Sequence, residues 1–452
     1  MIVSLPSTSI TLTEWETRSP KDCQGLAGRF LDHSPKAAEL ARLLEQSRVL
    51  GLRELRDGLE VRSFAHVGRV ELGDLNVTVL PKIPGTPLLK LVRYAHGFRR
   101  LPLPEDSRHL VDCQGIDELL IGQLNGEVRE LIARGLIRGY RRTSERLGFI
   151  RGRIDLDRIA LDGGVTATVP CVHHSRTVDT LLNQVVMAGL RLASSMTSVV
   201  ELRRDSLKLA SQMEDGVSRI RLDGQVMDRV APTVNRLTVA YQPALSIVRL
   251  LVESQGIVLE GSGIRTKLPG FMFDMNAFFQ LLVSRFLKEN LPGYTVRNEQ
   301  ALKGMMRYSP AFNPRQQRAP APRPDFVVTK PGAPCSILDA KYRDLWVNPL
   351  PREMLYQLVV YAVSLRQRPQ SSILYPTMEP LAREARIDVT DPLHGSEIGQ
   401  VWLRPVVLPR LEELVGSRTS AARREREALA LRLAFGNDAV TAAPKHHSRS
   451  FA

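Results

Sequence analysis

The sequence lacks any apolar run that approaches the roughly 18 consecutive residues needed to cross a membrane. Its first residues also lack the basic segment followed by an apolar core that marks a secretory signal. Together these two absences predict a cytoplasmic protein with no membrane partner.

Cysteine is scarce, and the four cysteines stand far apart without forming a CxxC pair: Cys23, Cys113, Cys171 and Cys335. Isolated cysteines argue against a structural zinc site and against a disulfide framework. The chain also lacks a GxxxxGK[ST] phosphate loop. It therefore predicts no nucleotide bound by this chain, so any nucleotide hydrolysis has to come from a partner.

Positive charge, by contrast, is abundant. The 452 residues include 62 Lys and Arg against 48 Asp and Glu, which gives a net charge of +14. Such an excess is typical of proteins with polyanionic partners, although a merely basic enzyme has the same composition. An Arg-rich segment at residues 134–153 could follow a phosphate backbone, and a solvated face is the alternative interpretation. The candidate contacts with DNA or a partner protein are Arg138, Arg141, Arg142, Arg151 and Arg153.

The chain length predicts two to four domains in an α+β multi-domain protein. Short alternating runs such as residues 75–80 predict strands in a small N-terminal α+β domain over residues 1–104. Helical spacing dominates a largely helical middle region, residues 105–262, and a mixed α/β pattern follows over residues 263–416. The hydrophilic residues 417–452 predict a basic, disordered tail in which only residues 421–433 have helical character.

The most informative pattern is a predicted hairpin around Gly332. Asp325 and Asp339 lie equally far from this glycine, so a hairpin centred there makes the two carboxylates face each other. Lys341 shares a face with Asp339, because alternate residues of a strand point to the same side. We therefore expect two carboxylates and an ammonium to converge at one end of the hairpin.

Such a cluster has a chemical use. Carboxylates suit Mg²⁺, which can polarise a phosphodiester, and a nearby lysine can orient the attacking water. A helix predicted over residues 353–365 carries Gln357 and Tyr361 on one side, where they could hydrogen-bond the lysine, the water or a phosphate. The alternative is an exposed hairpin whose Asp and Lys form a surface ion pair.

The pattern Asp325…Asp339-Ala340-Lys341, followed by Gln357-x-x-x-Tyr361, is similar to the PD-(D/E)xK nuclease superfamily, especially its RecB-like branch. The rest of the chain resembles the McrC family, the nuclease subunits of McrBC modified-cytosine-dependent restriction systems. The resembling segments follow one order over most of residues 50–410: LNVTVLPKI (75–83), RGLIRGYRR (134–142), FIRGRIDL (149–156), the Asp179…Asn183 helix, FDMNAFF (273–279), RPD (323–325), LDAKY (338–342), YQLVVYA (356–362) and ILYP (373–376).

The resemblance implies a restriction-endonuclease-like α/β nuclease domain at residues 263–416. Its Mg²⁺, or alternatively Mn²⁺, would be held by Asp325, Asp339 and the main-chain carbonyl of Ala340, with Lys341 as the catalytic lysine. The resemblance also implies that the N-terminal domain and the middle region engage a hexameric, McrB-like AAA+ GTPase and stimulate its hydrolysis. The substrate would be double-stranded DNA containing modified cytosine, recognised mainly by the partner.

One position departs from the family pattern. The family usually has Phe-Glu in the helix before the hairpin, where this chain has Phe279-Gln280. Glutamine is a poorer ligand than glutamate for a hard cation, which leaves open a non-catalytic activator of the GTPase with a decayed nuclease site. A third hypothesis, a basic DNA-binding adaptor, rests on charge alone.

Overall fold

The computed structural model describes residues 8–31, 35–72, 75–83, 85–97, 115–161, 167–197, 199–254, 258–261, 264–267, 270–332, 335–365 and 369–437. These residues form a mixed α/β structure with twelve α-helices and five β-sheets, so the predicted mixture of helices and strands is confirmed. None of the helices in these ranges is long and apolar enough to cross a membrane.

The N-terminal region contains two sheets. In the first sheet, β1 pairs with β6 in parallel and β6 pairs with β5 in antiparallel orientation. The second sheet consists of β2, β4 and β3. The first helix begins at Pro35, because proline fits the first turn of a helix. The elements are β1 (Thr8–Thr13), β2 (Thr17–Arg18), α1 (Pro35–Gln46), β3 (Leu50–Leu55), β4 (Gly58–Ser63), β5 (His66–Leu72), β6 (Leu75–Leu80) and α2 (Gly85–His96).

The middle region is helical, as predicted, but it also contains a three-stranded sheet in the order β7-β9-β8 that the sequence does not predict. Nearly all of β7 is exposed, so it lacks the apolar alternation that marks a half-buried strand. The elements are α3 (Ile116–Arg134), β7 (Gly139–Leu147), β8 (Arg153–Ile154), α4 (Leu156–Leu161), β9 (Val169–Thr177), α5 (Leu181–Met196), α6 (Val200–Glu214), α7 (Gly224–Val230), α8 (Gln242–Ser254), β10 (Val258–Gly261) and β11 (Ile264–Lys267).

The C-terminal region is built on a six-stranded mixed sheet in the order β13-β14-β15-β16-β18-β17, in which β15, β16 and β18 are parallel. The elements are β12 (Gly270–Asp274), α9 (Met275–Asn290), β13 (Thr295–Asn298), β14 (Phe326–Thr329), β15 (Ser336–Ala340), α10 (Arg352–Ser364), β16 (Gln370–Thr377), β17 (Ala385–Thr390), β18 (Glu397–Val407), α11 (Leu408–Gly416) and α12 (Ser420–Phe435).

Both faces of the six-stranded sheet are covered. Leu338 packs into a core that extends through α9 and the N-terminal and middle regions, whereas its neighbour Ile337 packs on the opposite face with Leu358 of α10. Because successive strand residues point to opposite faces, a strand buried on both sides reads as a continuous apolar run. This burial holds the end of β15, and with it Asp339, in a rigid setting.

The strand β12 does not join the six-stranded sheet. It pairs with β5 and so completes the first N-terminal sheet, although it lies beyond the predicted boundary at residue 263. Gly68 permits this pairing, since a Cβ at this position, where φ is +134°, would lie 2.1 Å from the carbonyl oxygen of Phe271. The N-terminal and C-terminal regions therefore share a sheet.

The helical character predicted for residues 421–433 is confirmed, because residues 420–435 form α12, and this part of the predicted tail is therefore ordered. The helix is anchored at its end: Ser336 Oγ donates a hydrogen bond to the Ala434 carbonyl (2.6 Å), and Arg404 Nη1 donates to the Leu433 carbonyl (3.0 Å). Its arginines and glutamates give the segment a hydrophilic composition, while a few apolar residues at its end are buried. Residues 438–452 lie outside the described residues.

Candidate active site

The β14–β15 hairpin has the predicted register. Phe326 pairs with Leu338 and Val327 with Ile337, so one step further along the ladder Asp325 lies opposite Asp339. The turn contains Gly332 with φ of +74°, a conformation that glycine adopts readily. The equal spacing of the two aspartates from this glycine therefore corresponds to a real juxtaposition of their carboxylates.

Lys341 lies between the two acids. Its Nζ is 2.9 Å from Asp339 Oδ2 and 3.6 Å from Asp325 Oδ2. Asp325 Oδ2 also accepts a hydrogen bond from the backbone N–H of Ala340 at 2.7 Å. The carboxylate of Asp339 is buried, and Lys341 is half-buried with access to solvent. The site thus has a buried floor and an opening at the lysine.

The protonation behaviour of the cluster follows from burial and close charges. Burial, followed by the charge of Asp339, raises the pKa of Asp325 to about 6, although Lys341 and the Ala340 N–H act in the opposite direction. Burial alone would lower the pKa of Lys341, but the two carboxylates outweigh it and raise that pKa. Lys341 is therefore an ammonium at neutral pH.

Gln280 reaches this cluster from α9. The helix begins after Asp274, whose Oδ1 accepts hydrogen bonds from Asn276 N and Ala277 N, a standard N-cap. One and a half turns later, Gln280 Nε2 donates to Asp325 Oδ1 at 3.1 Å. From the sequence, Gln280 is only a position where the glutamate usual in the family is replaced. In the structure its side chain contacts the carboxylate of Asp325.

Gln357 and Tyr361 lie on one side of α10, where Tyr361 is buried in the core with Ile337 and Gln357 is exposed. Gln357 Nε2 donates a hydrogen bond to the Tyr361 hydroxyl at 2.8 Å. Burial, with the nearby charges of Asp339 and Asp325, raises the pKa of Tyr361. The tyrosine is thus close enough to sense both carboxylates, and the glutamine holds its hydroxyl.

The donor set fits a hard divalent cation. Among the described residues there is no group of three or more His, Cys, Asp and Glu side chains that could enclose a metal. Two carboxylates and one main-chain carbonyl, from Asp325, Asp339 and Ala340, are nevertheless what Mg²⁺ uses when it keeps several waters. Two carboxylates that face each other repel unless a cation lies near them, and here Asp339 is buried and Asp325 is half-buried.

The five arginines predicted to contact DNA or a partner lie elsewhere. They are exposed and belong to β7, β8 and the adjoining loops, not to the sheet that carries the aspartates. Arg141 forms an ion pair with Asp179. Burial works against the charged form of Asp179, but hydrogen bonds from Ser218, Gln184 and Arg141 hold its pKa well below the usual range. Arg141 is therefore exposed and also forms an ion pair within the protein.

The residue that follows Lys341 in the chain makes a buried contact that the sequence does not predict. The next residue, Tyr342, donates its hydroxyl hydrogen to Glu14, with distances of 3.0 Å to Oε2 and 3.2 Å to Oε1. Glu14 follows β1 and is only 1% exposed. An isolated glutamate in an N-terminal strand region gives no sequence signal for a contact with a residue so distant in the chain.

Comparison with known proteins supports a single family. Residues 61–376 match the model of the McrBC 5-methylcytosine restriction system component. None of the curated proteins matches the chain.

Two solved structures are similar. The first is a chain of a refined half-complex from a tetradecameric assembly of Thermococcus gammatolerans McrB AAA+ hexamers with bound McrC. It aligns with a TM-score of 0.60 and 20% identity over 93% of this chain and 99% of that chain. The second, from the cryo-EM structure of the Thermococcus gammatolerans McrBC complex, has a TM-score of 0.45 and 19% identity over 63% and 88% of the two chains.

The family match covers more than half of the sequence, and the fold agrees with that of the first structure along nearly its whole length. The predicted resemblance to the McrBC systems is thereby confirmed. The chain belongs to the family of McrBC 5-methylcytosine restriction system components.

Proposed function

We propose that this chain is the McrC-type nuclease subunit of a modified-cytosine-dependent restriction complex. In this proposal residues 275–435 form a restriction-endonuclease-like PD-(D/E)xK domain that hydrolyses DNA phosphodiesters with Mg²⁺, or with Mn²⁺ in its place. The observation that carries the proposal is the position of Lys341 between two apposed aspartates, 2.9 Å from Asp339 and 3.6 Å from Asp325.

Each residue of the cluster has a role in this proposal. Asp325, Asp339 and the carbonyl of Ala340 would hold the cation, which would supply Lewis-acid polarisation of the phosphodiester when bound. Lys341, as an ammonium, hydrogen-bonds the attacking water and offsets the negative charge that grows on the phosphate. Gln280 orients Asp325 through its 3.1 Å hydrogen bond, and Tyr361, held by Gln357, donates into the site from α10.

The proposal includes a partner. The similar structure comes from an assembly in which McrC is bound to McrB AAA+ hexamers. This chain would likewise engage a hexameric AAA+ GTPase through its N-terminal and middle regions and stimulate its GTP hydrolysis. The substrate would be double-stranded DNA containing modified cytosine.

A non-catalytic activator of the GTPase is the second candidate, favoured only by Gln280 where a glutamate would add a third acid. The two candidates differ in one observable. A decayed nuclease stimulates GTP hydrolysis without cutting DNA in any divalent metal, whereas an intact nuclease does both.

The test combines the full chain with the McrB-type GTPase from the same genome, methylated plasmid DNA, GTP and Mg²⁺. We expect D339A to lower cleavage about 100-fold or more while GTPase stimulation stays at the wild-type level. D388A, which removes an exposed aspartate from β17 of the same sheet, is the matched control and should cut normally. Undiminished cleavage by D339A would overturn the proposal, and absence of cleavage by the wild type in Mg²⁺ and Mn²⁺ would favour the activator.

A further inference from the structure

Between β13 and β14 the chain forms a long excursion, residues 300–324, which we call the basic arm. It contains no aspartate or glutamate and carries five cations: Lys303, Arg307, Arg315, Arg318 and Arg323. All five are exposed. Part of the net positive charge of the chain is therefore concentrated in this one segment, which the sequence analysis did not single out.

The arm begins and ends at the candidate active site. The backbone N–H of Glu299 donates to the Asp325 carbonyl at 3.0 Å, and Leu302 N donates to the Pro322 carbonyl at 2.9 Å. Leu302 and Met305 pack against the apolar core under α10. The two ends of the arm are thus closed together directly beside a carboxylate of the cluster.

Side-chain hydrogen bonds give the arm a defined shape without a long helix or strand. Asn313 Oδ1 accepts from Gln317 N, and Asn313 Nδ2 donates to the Gln317 carbonyl, both at 2.9 Å. The Tyr308 hydroxyl donates to Gln317 Oε1 at 3.1 Å. Several prolines further restrict the backbone. A preorganised arm loses little conformational entropy when it binds a partner.

The cations of the arm are not paired with acidic side chains among the residues that the structure describes. Within the described part of the chain none of the five forms an ion pair, whereas exposed arginines elsewhere do, for example Arg410 with Glu413 and Arg423 with Glu427. Between these cations lies Phe312, whose side chain is 82% exposed. A run of free cations with an exposed aromatic ring is the arrangement that contacts phosphates and stacks on bases.

We propose that the basic arm is a DNA-binding element that contacts the phosphate backbone next to the scissile bond, with Phe312 wedged against a neighbouring base step. The inference rests on the proposed function, because it places DNA at Asp325 and Asp339. It goes further by assigning the contact to the arm, and it explains how a site built on two acids attracts a polyanion.

The test measures binding of duplex DNA by the full-length chain in the D339A background and in EDTA, so that cleavage does not interfere. Adding R307Q/R315Q/R318Q should weaken binding about 100-fold at moderate salt and lower the slope of log affinity against log salt by about 2 to 3. The R307K/R315K/R318K variant keeps the charges and should bind like its parent, which separates charge from misfolding.

A matched control removes three exposed arginines from the same region outside the arm, R383Q/R418Q/R424Q. It should change affinity by less than about threefold, since its residues do not line the site. F312A should weaken binding about tenfold, because it removes the apolar contact with the base step.

Several outcomes would overturn the inference. They are equal losses in the arm and control variants, wild-type binding by the glutamine variant, or no binding of DNA by the D339A chain. Loss of GTPase stimulation with unchanged DNA affinity would assign the arm to the protein partner instead. If the wild-type chain binds DNA through the arm but never cuts it, the proposed nuclease activity fails while the arm inference stands.

Discussion

Tyr342 donates a hydrogen bond to the buried carboxyl of Glu14, and so joins the residue next to Lys341 to the strand region at the beginning of the chain. The ring of Tyr342 also lies 6.1 Å from that of Phe279 in α9. Through this one side chain the candidate lysine is supported by both the N-terminal region and the helix that carries Gln280.

The first prediction concerns Glu14 and pH. Burial raises its pKa from 4.5 to about 7, against the smaller opposing effects of Tyr342 and Lys82. Below pH 4.5 both folded and unfolded chains hold the proton. As pH rises toward 7 only the unfolded chain releases it, so the native state loses about 3 kcal/mol of stability by pH 8.

E14Q keeps a hydrogen-bond acceptor for Tyr342 but cannot ionise. We therefore expect urea unfolding midpoints of the wild type and E14Q to agree near pH 4.5 and to diverge by pH 8, with the variant more stable. E45Q, at an exposed position of α1, is the control and should follow the wild type. If the unfolding midpoints of the wild type and E14Q changed equally between pH 4.5 and pH 8, the raised pKa of Glu14 would be contradicted.

The second prediction concerns Gln280. Q280E replaces the donor to Asp325 with another carboxylate, so the metal-free chain should lose about 1–2 kcal/mol of stability. Mn²⁺ or Mg²⁺ should then stabilise Q280E more than it stabilises the wild type. Thermal unfolding in EDTA and in increasing metal measures both effects.

Q280A is the control for this experiment, because it removes the hydrogen bond without adding a charge. Its metal-dependent stabilisation should not exceed that of the wild type. If metal raised the melting temperature of Q280E no more than that of Q280A, Gln280 would not face the metal site.

The third prediction treats Gln357 and Tyr361 as a unit. Y361F and Q357L should each lower the cleavage rate about tenfold at unchanged DNA affinity, because each disrupts the same hydroxyl. The double variant should cost no more than either single change, since residues in one hydrogen-bonded pair are not additive. Fully additive losses would show that the two side chains act separately.

The fourth prediction concerns Asn183, which lies in one of the family-like segments but is structural. Its Nδ2 donates to the carbonyls of Ile137 (2.9 Å) and Val178 (2.6 Å), and its Oδ1 accepts from the Tyr241 hydroxyl (2.7 Å). N183A leaves these buried groups unpaired and should destabilise the chain by about 2–4 kcal/mol.

Chemical unfolding measures this loss directly. Q225A, on the exposed side of α7, should have no effect and serves as the control. A stability loss below about 0.5 kcal/mol for N183A would mean that the network around Asn183 contributes little.

Local pattern predicted much of this fold. Helix α10 and the β14–β15 hairpin lie where the sequence predicts them, and the hairpin alone was enough to bring Asp325 and Asp339 together. The contacts of Glu14 and Gln280 could not be predicted, because each joins elements far apart in the chain. The strand β7 was missed for a different reason: its exposed faces lack the alternation that predicts a strand.

The pairing of β12 with β5 also has a consequence for biosynthesis. On the ribosome, β5 is made long before β12, and its edge stays open until residue 274 has emerged. An open edge strand is a template for intermolecular pairing. A fragment that ends near residue 104 should accordingly aggregate, and the first sheet can close only after the entire middle region has been translated.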